Sequence, residues 1–201
     1  MSASAPCRPP RRWQQAALDE WTRAGCRGIA KVVTGGGKTV FAGLCITRFW
    51  SQRPDGRVIV LVPTTSLLDQ WFVALQEDLG LSDYDIATYS GEGKPSEPRR
   101  VNLMVLNTAR TWVSRVALGA EVLLIADECH RAGSPHNACA LGGNPVATLG
   151  LSATPEREGD DSFEAVLVPA LGRVFYEYGY NEAAADGVIS DFDLVNVRVE
   201  L

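Results

Sequence analysis

The chain has 201 residues, 46% of them hydrophobic and 21% charged, and a net charge of −5. That is enough chain for one sizeable core and at most two small domains of ordinary soluble composition. It excludes a membrane protein of the helical kind, because no apolar run approaches the length that crosses a bilayer, and the acidic balance by itself does not advertise a nucleic-acid binder.

Taken in chain order, MSASAPCRPPRR (residues 1–12) is rich in Pro and Arg and has no apolar stretch. It is no secretory signal, and it reads as a flexible basic arm. WQQAALDEWTRAG then predicts a helix closed by Gly25 as its left-handed terminator. GIAKVV is a short β-rich run, KTVFAGLCITRFW a helix and RVIVLV a strand. SLLDQWFVALQEDLG predicts a helix with Ser66 as N-cap and Gly80 at its end. DIATYS and VNLMVL read as strands, NTARTWVSRV as a helix, and EVLLIAD and PVATLGLSA as strands. FDLVNVRVEL, residues 192–201, closes the chain with strand-like alternation. Strands alternating with helices of about 10–15 residues predict an α/β fold, a mostly parallel sheet with helices on both faces. VIVLV and VLLIA are apolar throughout, as strands covered on both sides must be. Ligands in such sheets bind beyond the carboxyl ends of the strands.

The motifs fall at those ends. VVTGGGKT, residues 32–39, follows a strand and opens a helix, the context a phosphate-binding loop requires. After Thr34, the glycines Gly35, Gly36 and Gly37 let the backbone turn tightly and aim N–H groups into one concavity, with no Cβ in the way of a phosphate. The helix beginning at Lys38 adds its positive end. Lys38 is expected to reach the β- and γ-phosphates of a nucleotide and Thr39 to hold Mg²⁺ through its hydroxyl. The general pattern asks for glycine where this chain has Val32, so the strict motif is not met, and a glycine-rich turn with a chance lysine is the bland alternative. LLIADECH, residues 123–130, runs a buried strand into Asp127 and Glu128. A carboxylate at such a strand end is costly unless a cation or hydrogen bonds meet it. Asp127 is expected to hold Mg²⁺, and Glu128 to orient or deprotonate an attacking water. A helix N-cap is the alternative for the pair.

Together, TGGGKT and DECH resemble motifs I and II of superfamily 2 helicases and translocases, whose first motif commonly lacks the leading glycine. The resemblance covers nearly the whole chain and implies a RecA-like P-loop domain that binds ATP and Mg²⁺. It carries further residues with it: Gln14 in RRWQQAAL as the adenine reader; Pro63 and Thr64 in VPTTSLLDQW, Ser90 and Gly91 in TYSG, and Thr108 with Arg110 in LNTART on a nucleic-acid backbone; His130, with Ser152 and Thr154 in LSATP, coupling the ATP site to nucleic acid. The chain looks most like type III restriction subunits and excision-repair helicases, which favours DNA over RNA. On this reading residues 13–201 are the first RecA-like domain of a longer protein. The second domain, with its arginine fingers, is missing from this chain, so the fragment alone is expected to hydrolyse ATP poorly.

Basic residues support the nucleic-acid expectation locally: Lys94, Arg99, Arg100, Arg110 and Arg115 lie between Glu92 and Arg115 against Glu92 and Glu97 alone, although solvated loop charge would look the same. Five cysteines, an odd number with no CxxC pair, predict free thiols and a cytoplasmic protein. Cys129, His130, His136 and Cys139 are a zinc set by residue type, but their spacing matches no zinc pattern and no zinc is expected. Trp21, Trp50 and Trp71 fall in helices, where packing is the simpler use. Trp112 is a candidate stacking platform beside Arg110 and Arg115, and Trp13 is expected to flank the adenine. Two other classes stay open: another P-loop NTPase, such as a GTPase or small-molecule kinase, for which neither an NKxD element nor an acceptor site is found; and a non-enzymatic, nucleotide-gated binding module of a larger complex.

Overall fold

The computed structural model describes residues 9–91, 95, 97–156 and 161–190. Seven parallel strands form one sheet: β1 (Ile29–Val32), β2 (Arg57–Val62), β3 (Ile86–Tyr89), β4 (Val101–Val105), β5 (Val122–Asp127), β6 (Ala147–Ser152) and β7 (Val174–Tyr178), in the order β3-β4-β2-β5-β6-β1-β7. Parallel neighbours need crossovers, and the helices supply them. They are α1 (Arg12–Arg23), α2 (Lys38–Gln52), α3 (Thr65–Leu79), α4 (Leu106–Ala117), α5 (Val168–Leu171) and α6 (Tyr180–Ala185).

Alternation along each strand feeds two cores. Val58, Val60 and Val62 of β2 and Leu123 and Ile125 of β5 face one side, against Trp21 of α1, Phe41, Cys45 and Phe49 of α2, and Leu68, Trp71 and Leu75 of α3. Ile59, Leu61, Leu124 and Ala126 face the other, against Ala109, Val113 and Val116 of α4 and Leu171 of α5. Helices therefore cover both faces, as expected. A buried bond from Trp21 Nε1 to the Thr148 carbonyl, 2.9 Å, seats α1 on the sheet, and Gly25 does close α1 in the left-handed region (φ 72°). Among the described residues no helix is long and apolar enough to cross a membrane.

Four expectations need correction. The N-cap of α3 is Thr64, not Ser66: Thr64 is extended (φ −136°, ψ 158°) and its hydroxyl accepts the Leu67 N–H at 3.3 Å, so the helix starts earlier than the apolar periodicity suggested. Arg11 and Arg12 do not belong to a loose arm, since α1 begins at Arg12 and Arg11 is bonded to the phosphate loop. Trp13 is core rather than a flank for adenine. It is 3% exposed and stacks on Tyr178 with ring centroids 4.9 Å apart. Finally, β7 and α6 arise from the tail, which gave no separate element in the sequence; the run 192–201 lies outside the described residues.

The join between β1 and β7 depends on bare backbone. Gly28, at φ +146°, accepts the Gly150 N–H at 2.9 Å, and a Cβ there would stand 2.7 Å from the Arg173 carbonyl oxygen. A Gly28→Ala chain is expected to lose about 2–3 kcal/mol of unfolding free energy in urea melts, from a glycine-only conformation plus a backbone clash. A loss within about 0.5 kcal/mol, the size of a surface substitution, would contradict the packing.

Candidate nucleotide and nucleic-acid site

All strand carboxyl ends share one rim, and the candidate residues lie on it in two groups. The end of β1 leads into the glycine loop, β5 ends at Asp127, and β6 between them ends at Ser152. Each glycine of the loop is needed for its own reason. Gly35 (φ 78°) and Gly37 (φ 97°, the N-cap of α2) occupy left-handed backbone. Gly36 has no room: a Cβ there would meet Val32 Cγ1 at 2.8 Å and the Val33 carbonyl at 2.9 Å. Val32, where the general motif has glycine, is a buried core residue.

The loop is tied from both sides. Lys38 Nζ donates to the Val32 carbonyl at 3.3 Å and lies 3.7 Å from Glu128 Oε1, which joins the loop to the acidic strand end across β6. Gln14, 2% exposed, accepts the Arg11 N–H on Oε1 at 2.8 Å and donates from Nε2 to the Gly37 carbonyl at 3.1 Å. Arg11 donates from its guanidinium to the Gly36 carbonyl at 3.1 Å. Gln14 thus fastens α1 to the loop and keeps one N–H and one lone pair for another partner. Thr34 is exposed and Thr39 sits in the first turn of α2.

Asp127 is 9% exposed. Burial pushes its carboxyl above the ordinary carboxylate range, against the pull of a 2.8 Å hydrogen bond from Trp71 Nε1 and the more distant charge of Lys38. Because the folded chain prefers the protonated form, Asp127 adds stability at low pH that is lost as pH rises through its elevated value. A cation on the carboxylate reverses that loss. Glu128 takes the left-handed conformation (φ 47°, ψ 50°), rare for a side chain of this size, which turns it back toward Lys38. Beyond it the contacts continue: His130 Nδ1 lies 3.4 Å from Glu128 Oε2 and 2.9 Å from Ser152 Oγ, and Ser152 Oγ accepts the Thr154 N–H at 3.1 Å. The buried Cys129 thiol is pushed up to about 12 by burial and by the charges of Glu128 and Asp127. Cys139 is exposed, and His136 contacts Arg110.

The second group occupies the neighbouring strands β3, β4 and β2. Ser90 and Gly91 follow β3, Thr108 and Arg110 lie in the first turns of α4 after β4, and Pro63 and Thr64 follow β2. Arg110 is hydrogen-bonded to Asn107 and His136. A cleft of about 300 Å³, lined by Pro63, Asn107, His130 and Arg131, separates this group from the first. A wider cleft of about 760 Å³, lined by Trp50, Arg57 and Arg100, opens at the opposite end of the strands, away from all these groups. Trp112 is half-buried beside Tyr89, with Arg115 over its ring.

Two contributors were missed in the sequence. Arg11 lay within a quoted motif, but as one more basic residue of the arm. Trp71 was read as packing alone, because nothing local to residue 71 announces a hydrogen bond to residue 127.

A doubly covered parallel sheet with a glycine loop facing an acidic strand end across one intervening strand defines a RecA-like P-loop domain of the superfamily 2 helicase kind. Residues 8–157 match the family model described as type III restriction enzyme, res subunit, and the chain belongs to that family. It is 27% identical over 198 residues to the DNA 3'-5' helicase XPB of Kineococcus radiotolerans, covering 95% of this chain and 34% of that protein. It is 26% identical to the protein of the same name from Mycobacterium tuberculosis, again over 95% of this chain and 34% of the relative. Among solved structures, the Hef helicase domain of Pyrococcus furiosus superposes with a TM-score of 0.70 at 20% identity (88% of this chain, 39% of that one). The UvsW helicase of bacteriophage T4 does so with 0.63, also at 20% identity (88% and 64%). These two likenesses are of fold. The chain spans about a third of the length of these two sequence relatives.

Left-handed backbone at Glu128 reverses the usual ranking of substitutions. The Glu128→Gly chain is expected to be more stable than Glu128→Ala by about 1 kcal/mol in urea melts, although glycine ordinarily costs stability. Equal stabilities, or alanine the more stable, would mean that Glu128 is not held in that conformation.

Proposed function

We propose that this chain is the ATP-binding first domain of an ATP-dependent helicase or translocase that works on double-stranded DNA in the cytoplasm. The observation that carries the reading is the 3.7 Å approach of Lys38 to Glu128. It joins a glycine cradle to an acidic strand end, with three segments suited to a phosphate backbone on the adjoining strands of the same rim. The sequence relatives of Kineococcus and Mycobacterium are DNA 3'-5' helicases, which favours DNA over RNA.

The chemistry follows from the residues. The backbone N–H groups of Gly35, Gly37, Lys38 and Thr39 enclose the β-phosphate at the positive end of α2, while that of Gly36 donates to the Val33 carbonyl at 3.0 Å. Lys38 leaves the Val32 carbonyl and Glu128 and turns to the β- and γ-phosphates. Gln14 offers its remaining donor and acceptor to the adenine edge. The Thr39 hydroxyl and the Asp127 carboxylate fit Mg²⁺, since Asp127 is a desolvated anion whose hydrogen bonds come from neutral donors. Bound there, Mg²⁺ would neutralise charge on the phosphate oxygens. Glu128, released by Lys38, accepts a proton from the attacking water on a carboxylate oxygen. His130, Ser152 and Thr154 run from Glu128 toward the remainder of the rim and pass the nucleotide state to the DNA-binding group. Pro63, Thr64, Ser90, Gly91, Thr108 and Arg110 hold phosphates of the DNA backbone and so read no sequence.

Lys38→Ala is expected to weaken binding of a fluorescent ATP analogue with Mg²⁺ at least about 30-fold, the scale of removing one charged partner from a buried pair. Equal affinities in the two chains would remove the phosphate-loop assignment. Affinity for duplex DNA is expected to fall steeply with salt, and Arg110→Ala to reduce the slope of log K against log salt by about one. A slope unchanged by Arg110→Ala would take that residue off the backbone.

A further inference from the structure

Asp127 receives two hydrogen bonds of different origin. Its Oδ1 accepts the N–H of the next residue, Glu128, at 3.0 Å, a contact set by the local backbone. Its Oδ2 accepts the indole N–H of Trp71 at 2.8 Å, across 56 positions of sequence. Trp71 is 1% exposed and wedged among Leu68 and Leu75 of α3, so its ring has no freedom to follow a wandering carboxylate. Trp71 also lines a narrow crevice between α2 and α3 together with Thr39 and Gly43. The indole thus touches the surroundings of both groups suited to a divalent cation.

The type of donor matters. A lysine or arginine at this place would neutralise Asp127 and compete with a cation. An indole N–H is neutral: it fixes the direction of one carboxylate oxygen and leaves the negative charge uncompensated. Lys38, the nearby cation, is held by Glu128 and the Val32 carbonyl instead. A buried anion aimed by a rigid neutral donor is the arrangement expected around a metal ligand, where outer partners orient the ligand. Trp71 also stands two turns along α3 from its N-cap, Thr64, so the helix that presents Thr64 at the DNA-binding group also aims Asp127 at the nucleotide group.

We propose that Trp71 is a positioning residue for the divalent cation, holding Asp127 in its metal-binding orientation and tying that orientation to α3. The proposal rests on the nucleotide-binding reading of the rim and adds to it a residue that acts through Asp127. The test is a Mg²⁺ titration of the chain saturated with a fluorescent ADP analogue, comparing wild type, Trp71→Phe and Val113→Ala, the last in the core on the other face of the sheet. Trp71→Phe keeps the aromatic packing and removes the donor. Its Mg²⁺ midpoint is expected to rise about 10-fold or more, the usual scale for losing an outer partner of a metal ligand. Its affinity for the analogue in EDTA stays at the wild-type value. Val113→Ala, which does not pack on Trp71, lowers the melting temperature without moving the Mg²⁺ midpoint. A Mg²⁺ midpoint unchanged in Trp71→Phe, while analogue binding still depends on Lys38, overturns this proposal alone. Analogue binding that does not depend on Lys38 overturns the nucleotide reading and this proposal with it. If Trp71→Phe does not fold, the indole N–H resonance displaced by Asp127→Asn identifies Trp71 in the wild-type chain. That resonance is expected to shift when Mg²⁺ is added to the ADP-bound protein, and a stationary resonance overturns the proposal.

Discussion

A parallel sheet delivers every strand's carboxyl end to the same side, and the rest of this molecule depends on that constraint. Residues 37 and 128 are far apart in the chain, and β1 and β5 are not even neighbours; β6 lies between them. Because all three strands run the same way, the loop after β1 and the carboxylates after β5 still face each other, and Lys38 closes the gap to Glu128 at 3.7 Å. One reversed strand would send one of these groups to the far end of the sheet. Between them Gly150 of β6 leaves room for side chains on one face of the sheet: a Cβ there would stand 2.8 Å from Ile29 Cγ1 of β1 and 3.3 Å from the Cys129 sulfur.

The same constraint sorts the rim by strand order rather than by sequence. The order β3-β4-β2-β5-β6-β1-β7 puts the phosphate loop, the acidic pair and Ser152 on three consecutive strands, and the segments after β3, β4 and β2 on the next three, with β7 at the far edge. His130 stands at the boundary. It touches Glu128 and Ser152 of one half directly and shares a cleft with Pro63 and Asn107 of the other.

Much of this was legible in the residues because it is local. The glycine run between a strand and a helix, the apolar runs ending at Asp127 and Ser152, and the alternation that splits β2 between two cores each follow from consecutive positions. What escaped was long-range or ambiguous. VFYEY makes an edge strand with a mostly half-exposed pattern, so β7 shows neither the continuous apolar run of a buried strand nor a clean alternation. Thr64, Thr65 and Ser66 stand in a row, and only the extended backbone of Thr64 decides which one caps α3. Trp13 beside Gln14 suggested a ligand wall; the stack on Tyr178, 165 positions away, made it core.

Lys38 has a consequence for what the loop will accept. Without nucleotide its ammonium is not bare bait for anions, being satisfied by the Val32 carbonyl and by Glu128, with its side chain only 12% exposed. An arriving anion must displace protein groups, not merely water.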